Sequence, residues 1–238
     1  MDRHMLDITV PPTRPLIAAS ILSADFGRMA DDCRDVLDRG ADLLHVDVMD
    51  GHFVPNLTMG VDMIRGLRRH FPDTYLDVHL MVERPGDYID SFAEAGANCF
   101  SFHLEVSRPL RPDGVDAARL IERIHAAGMD AGMVVNPPTA IEPIEPFLDA
   151  LQLVLVMSVN PGRSGQAFMP QVLDKARWLA AKLSVRTRIE MDGGLNPTTA
   201  GDAVAAGVDM LVTASALFGA TDRQAVIDAL HGAGTPRR

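Results

Sequence analysis

The chain has 238 residues and a formal net charge of -10, with no basic stripe, which argues against a nucleic-acid-binding surface. Hydrophobic residues make up 47% and charged residues 23%, the balance of a globular core inside a wet surface, and no apolar run approaches a membrane span. Two cysteines, Cys33 and Cys99, lie outside any CxxC pattern, so they read as small buried thiols in a reducing cytoplasm, not as a disulfide or zinc framework.

The first 14 residues carry Pro11, Pro12 and Arg14, have no signal-peptide core, and read as a loose arm. From residue 15 to 231 short apolar strands alternate with helical patterns. Leu16–Ser20 is a predicted strand and Asp25–Arg39 a helix closed by Gly40. Asp42–Asp47 is a strand, Met59–His70 a helix and Tyr75–Leu80 a strand. Gly86–Ala95 is helical, Cys99–His103 a strand, Asp113–Ala127 helical and Met129–Val135 a strand. A short helix around Ile144–Asp149 precedes the strand Leu153–Met157. Phe168–Leu183 is helical, Arg188–Met191 a strand, Thr198–Ala206 helical, Asp209–Val212 a strand and Ala225–Leu230 the last helix. Residues 232–238 read as a loose tail.

Four of the helical segments end at glycine, the residue that most easily adopts the left-handed stop. The phrases Gly40-Ala41-Asp42, Gly96-Ala97-Asn98 and Gly207-Val208-Asp209 form a faint repeat at the helix-to-strand turn. Eight strand–helix units predict a single-domain (β/α)8 TIM barrel. A doubly wound open sheet is the alternative, but it normally has a Gly-rich first turn, and Ser20-Ile21-Leu22-Ser23 contains no glycine.

In such a barrel, chemistry gathers at the C-terminal ends of the strands. The second strand delivers His45, Asp47 and Met49 on one face, because side chains alternate. The third delivers Asp77, His79 and Met81, the fourth His103 and Glu105, the sixth Met157, and the seventh Asp192. The opposite strand ends show no comparable cluster of ionisable groups. His45, Asp47, His79 and Asp192 offer two imidazoles and two carboxylates, a donor set for Zn²⁺, Fe²⁺, Mn²⁺ or Co²⁺. A hydrogen-bonded polar network would use the same residues. Gly193-Gly194 and Ala214-Ser215 close strands seven and eight, the usual place for a backbone phosphate grip. The loop Pro161-Gly162-Arg163-Ser164-Gly165 reads as a lid or a plain surface loop. Met49, Met81 and Met157 fill core or form a soft, dry wall to a site.

The segments Ser20–Phe26, His45–Asn56, Asp77–Val82, Val156–Gly162 and Asp192–Gly194 together resemble the ribulose-phosphate 3-epimerase family, over about residues 16–230. The resemblance implies a metal-dependent, homo-oligomeric (β/α)8 isomerase. It would invert C3 of D-ribulose 5-phosphate to give D-xylulose 5-phosphate through an enediolate, with one divalent ion per subunit. By motif position, His45, Asp47, His79 and Asp192 correspond to metal ligands, and Asp47 and Asp192 to the two acid/base groups. Ser20 and His79 correspond to substrate contacts, with Gly162 to Gly165, Gly193, Gly194, Ala214 and Ser215 on the phosphate side.

The chain departs from the family pattern at three places. Ala19 stands where the family has proline. Arg163-Ser164 replaces Phe-Gly in the sixth loop, and Ala214 replaces a glycine. An alanine at 214 would be strained if that position needs a positive φ. Arg163 either adds a charge to the substrate, or marks a lid that admits another ketose phosphate, such as a ketohexose 6-phosphate or a ketotetrose phosphate. A silent sugar-phosphate-binding barrel is the non-enzyme alternative.

Overall fold

Eight strands pair in parallel in chain order and close on themselves. They are β1 (Leu16–Ser20), β2 (Leu43–Met49), β3 (Leu76–Met81), β4 (Cys99–His103), β5 (Asp130–Val135), β6 (Leu153–Met157), β7 (Arg188–Asp192) and β8 (Met210–Thr213). The seam is the β1–β8 pair, with Ala18 opposite Val212. The computed structural model describes residues 5–108 and 110–237; the first four residues of the N-terminal arm and the last of the tail lie outside that range.

The helices are α1 (Met29–Asp38), α2 (Val61–His70), α3 (Ile89–Ala95), α4 (Ala117–Ala126), α5 (Leu173–Ala180), α6 (Ala200–Ala205), α7 (Ser215–Phe218) and α8 (Arg223–His231). The crossover after β5 is a 3-10 helix, Glu142–Ala150, where the sequence predicts a short helix. Pro146 lies inside it and has no N–H to donate to Glu142, so an α-helical ladder cannot run through. Helix α4 starts at Ala117, four residues later than the pattern predicts, because the Asp116 carboxylate accepts from Arg119 N–H and sets the cap there. The four-residue α7 directly after β8 has too little periodicity to be legible in sequence.

The strands are apolar at almost every position because both faces are buried. Ile17, Ala19, Leu44, Val46, Val48 and Val78 point outward into the layer shared with the helices. Leu16, Ala18, Leu43, Val134, Leu155 and Val212 point inward, and Ile8 of the arm joins this inner cluster. At the C-terminal end of the strands the inward positions change character. His45, Asp47, His79 and His103 are each 3% exposed or less, which only a built polar site tolerates. Cys33 and Cys99 are free and buried, as expected.

The floor of the barrel corrects the expectation that ionisable groups avoid it. Arg188 and Asp209 are both buried, with Nη1 and Oδ2 3.6 Å apart. Arg237 donates to Asp209 Oδ2 at 2.8 Å and to the Thr187 carbonyl at 2.6 Å. These charges come from a strand start, a preceding loop and the tail, so no single stretch of sequence shows them together.

Candidate active site

Strand register builds the site in layers. His45 lies beside Asp77, Asp47 beside His79, and Met49 beside Met81. Across the barrel Met157 lies beside Asp192. Ser20 is level with His45 on β1. The mouth above these residues is a cavity of about 690 Å³, lined by Ser20, Asp47, the three methionines, Asp192 and the loops after β6, β7 and β8. Met49, Met81 and Met157 are at most 2% exposed, yet all three face the cavity. They fill core and wall the site at once.

One donor atom each from His45, Asp47, His79 and Asp192 lie within 4.8 Å of one another. That spacing fits a single ion held by two nitrogens and two oxygens. The hydrogen bonding is consistent with it. His45 Nδ1 lies 2.6 Å from Asp77 Oδ2, while its Nε2 is buried and has no hydrogen-bond partner. A carboxylate on one ring nitrogen and a free second nitrogen aimed at carboxylates is the arrangement of a metal-ligating histidine with its supporting acid. His79 Nδ1 lies 3.1 Å from Asp47 Oδ1, and the Ser20 hydroxyl donates to Asp47 Oδ2 at 2.7 Å. The residues present therefore fit a divalent cation.

Electrostatics point the same way. Burial works against the charge of Asp47, but His45 and His79 outweigh it and hold the carboxyl far below its usual range. Burial pushes Asp192 up to about 7, with the Asp47 charge adding to it. Burial, then the Asp77 charge, lifts Glu190 to about 8. For His45, burial is overcome by Asp77, Asp47 and Glu190, which raise it well above 6.5. Burial lowers His79 to about 4. Four acids thus converge around one strongly favoured cationic position at His45, the condition a metal ion at Nε2 would also satisfy.

The loops complete the enclosure. Asn56 Nδ2 donates to the Gly162 carbonyl at 2.9 Å, tying the β2 loop to the β6 loop. Gln166 Nε2 donates to the Asn160 and Arg163 carbonyls at 2.7 and 2.9 Å, which folds the loop around its own tip. Among the described residues, the exposed Arg163 is the one Lys or Arg lining the cavity, against Asp47, Asp192 and Asp202. Ala214 has φ of -117°, so its β-carbon meets no left-handed constraint. No non-glycine among the described residues has positive φ, so Ser164 is equally unconstrained.

The model of the ribulose-phosphate 3 epimerase family matches residues 16–218. This chain belongs to the ribulose-phosphate 3-epimerase family. It is accordingly an isomerase, of the epimerases that act on carbohydrates. The cytoplasmic isoform of ribulose-phosphate 3-epimerase from rice is 46% identical over 218 residues, covering 90% of this chain and 92% of that one. The Bacillus subtilis ribulose-phosphate 3-epimerase is 43% identical, covering 91% and 98%, and the Mycobacterium bovis one 46%, covering 91% and 92%. Among solved structures, 3-keto-L-gulonate-6-phosphate decarboxylase from Vibrio cholerae superposes with a TM-score of 0.66 at 14% identity, over 93% of this chain and 97% of that one. Thiamine phosphate pyrophosphorylase from Pyrococcus furiosus gives 0.61 at 16%, over 92% and 94%. At that identity the likeness shows the barrel alone.

Within this family member, supporting groups stand behind the candidate ligands: Asp77, His103 and Glu105, which the reading of strand ends named without a role, and Glu190, which it missed. Asp77 and Glu190 sit one inward layer below His79 and Asp192 and flank His45, with Glu190 Oε1 3.5 Å from Nδ1. His79 Nε2 lies 2.9 Å from His103 Nε2, and His103 Nδ1 lies 3.1 Å from Glu105 Oε2. The signal for Asp77 and Glu190 was present: each stands two residues before a candidate ligand, on the same strand face.

Proposed function

We propose that the chain interconverts D-ribulose 5-phosphate and D-xylulose 5-phosphate by proton removal and return at C3. The observation that carries this reading is a pair of carboxylates, Asp47 on β2 and Asp192 on β7, that both line one cavity and bring an oxygen each within 4.8 Å of the other and of a ring nitrogen of His45 and of His79. Inversion needs one group to take the C3 proton from one face and a second to deliver a proton to the other. Strands two and seven lie apart around the barrel, so their carboxylates can flank the carbon. The reaction runs in both directions, so each aspartate acts as base in one direction and acid in the other.

His45, Asp47, His79 and Asp192 would hold one divalent ion per subunit, Zn²⁺, Fe²⁺, Mn²⁺ or Co²⁺. Such an ion supplies positive charge to the substrate oxygens where the enediolate develops. The Ser20 hydroxyl holds Asp47 in place through Oδ2 and stands at the cavity wall, in reach of a substrate hydroxyl. The three methionines exclude water from the planar intermediate. The phosphate would rest against Gly193, Gly194, Ala214, Ser215 and the Gly162 to Gly165 loop, with Arg163 supplying the cationic side chain. Ala214, Ser215 and Ala216, at the start of α7, line that side of the cavity, and the first N–H groups of a helix have no helical partner.

A ketohexose or ketotetrose phosphate is the second reading, favoured by the exposed Arg163 at a lid position and the room in the cavity. A cytoplasmic location accords with the name of the rice relative, and no helix among the described residues is long and apolar enough to cross a membrane. We read the enzyme as a homo-oligomer.

The deciding experiment measures turnover on a panel of phosphorylated ketoses, with C3 proton exchange in D₂O followed by NMR. Ribulose 5-phosphate is expected to give the highest kcat/KM; a better substrate elsewhere in the panel overturns the assignment. Asp192→Asn is expected to lose about 10²–10⁴-fold in kcat while keeping its fold. Wild-type turnover in that variant removes Asp192 from the chemistry.

A further inference from the structure

His103, the last residue of β4, and Glu105 just after it stand beside His79, are not among the residues that line the cavity, and have no role in the chemistry proposed above. His103 is fully buried. Its ring is held between two others: Phe53, with centroids 4.5 Å apart, and His79, at 5.0 Å. Both of its nitrogens are committed, Nδ1 to Glu105 Oε2 at 3.1 Å and Nε2 to His79 Nε2 at 2.9 Å. The other Glu105 oxygen, Oε1, accepts from Asn136 N–H at 2.8 Å.

We propose that Glu105 and His103 form a positioning relay that fixes the tautomer of His79, so that His79 presents the lone pair of Nδ1 to a cation. The deduction follows from donor and acceptor inventories. An ionised carboxylate only accepts, so the proton of a neutral His103 is on Nδ1. Its Nε2 is then an acceptor. Two imidazole nitrogens 2.9 Å apart share a single proton, so His79 Nε2 must donate. Two neutral rings carry two protons for three contacts, so the contact left without one is His79 Nδ1 with the Asp47 Oδ1 acceptor, 3.1 Å apart inside the four-atom cluster, where a cation would take the place of the proton. Asp77 does the same for His45 in one step; the relay does it for His79 in two. The inference rests on the reading of His79 as a ligand.

Glu105→Gln changes no shape but reverses the polarity. The Asn136 N–H keeps claiming an oxygen, so the new amide NH₂ faces His103 Nδ1. His103 must then carry its proton on Nε2, His79 Nε2 must accept, and the His79 proton moves to Nδ1, where it blocks the cation. The test titrates Zn²⁺ or Co²⁺ into the metal-stripped protein against a chromophoric chelator. Glu105→Gln is expected to bind about 10–100-fold more weakly than wild type, with the melting temperature of the stripped protein unchanged. A second measurement needs no variant: two-bond ¹H–¹⁵N couplings in zinc-loaded wild-type protein should show the His79 proton on Nε2 and the His103 proton on Nδ1. Wild-type affinity in Glu105→Gln, or a doubly protonated His103, overturns the relay alone. A His79 ring that zinc does not perturb overturns the ligand set and the relay with it.

Discussion

Asp50 shows how one side chain beside the site can hold a loop. It follows β2 directly, and its carboxylate accepts from three backbone N–H groups. Oδ1 takes His52 and Phe53, each at 2.8 Å, and Oδ2 takes Glu83 at 2.8 Å. The first two close the turn after β2; the third joins it to the turn after β3. Partial burial works against the charge, but these donors outweigh it and hold the carboxyl below its ordinary value of 3.8. Because the folded value is depressed, the stabilisation is intact above 3.8 and is lost as pH falls through the folded value. Asp50→Ala leaves three donors without this acceptor, a cost of about 1–3 kcal/mol and a fall in Tm of about 2–12 °C at this length. Thermal melts should show the gap between wild type and variant at pH 7 and a smaller one near pH 3. An equal gap at both would mean that the charge contributes nothing.

At the scale of elements, the glycine pair after β7 has a structural task besides any close approach to phosphate. Gly193 has φ of +122°, and a β-carbon there would lie 2.5 Å from Val159 Cγ2 and 2.8 Å from Val159 N. Gly194 has φ of +65°, with a β-carbon 2.6 Å from Phe168 N. The β7 loop is therefore pressed against both ends of the β6 loop that carries Arg163. Gly194→Ala should drive the 166–168 backbone off the cavity and, since a displacement of about 1 Å at a site can cost about 10²-fold, lower kcat/KM by that order with the barrel intact by circular dichroism. Gly66→Ala on α2 is the matching control: its φ is not positive and a β-carbon there meets nothing within 4 Å, so its kinetics should stay near wild type. A Gly194→Ala variant as active as the control would show that the two loops move independently. The existence of these elements was legible from alternating periods and glycine stops. Their contact was not, because residues 159 and 193 are distant in sequence and meet only when β6 and β7 pair.

The whole molecule concentrates buried acids at one end of its barrel. Asp47, Asp77, Glu190 and Asp192 converge with His45 and His79, and burial pushes Glu190 and Asp192 above the usual carboxylate range. A cation that binds only the folded chain stabilises it by about 2.7 kcal/mol at one hundred times its Kd, which corresponds to a rise in Tm of about 5–10 °C for a domain this size. Chelator should reverse the rise. Melts with Zn²⁺, Fe²⁺, Mn²⁺ and Co²⁺ that show no shift for any ion would remove the cation from the proposed function.

The sequence by itself determined the barrel and the ligand candidates. Strand and helix periods are local properties, and alternation puts His45 with Asp47, and Asp77 with His79, on one face before any fold is known. The family motifs added the chemistry to those positions. Tertiary structure decided what depends on neighbours across strands: that β2, β3 and β7 bring their donors within 4.8 Å, that His103 and Glu105 stand behind His79, and that Arg188, Asp209 and Arg237 meet at the floor. Closure creates those contacts, since register and the β1–β8 seam set which side chains share a layer. It also settled the place of Ala214, whose backbone angle is fixed by the turn into α7 and not by the residue alone.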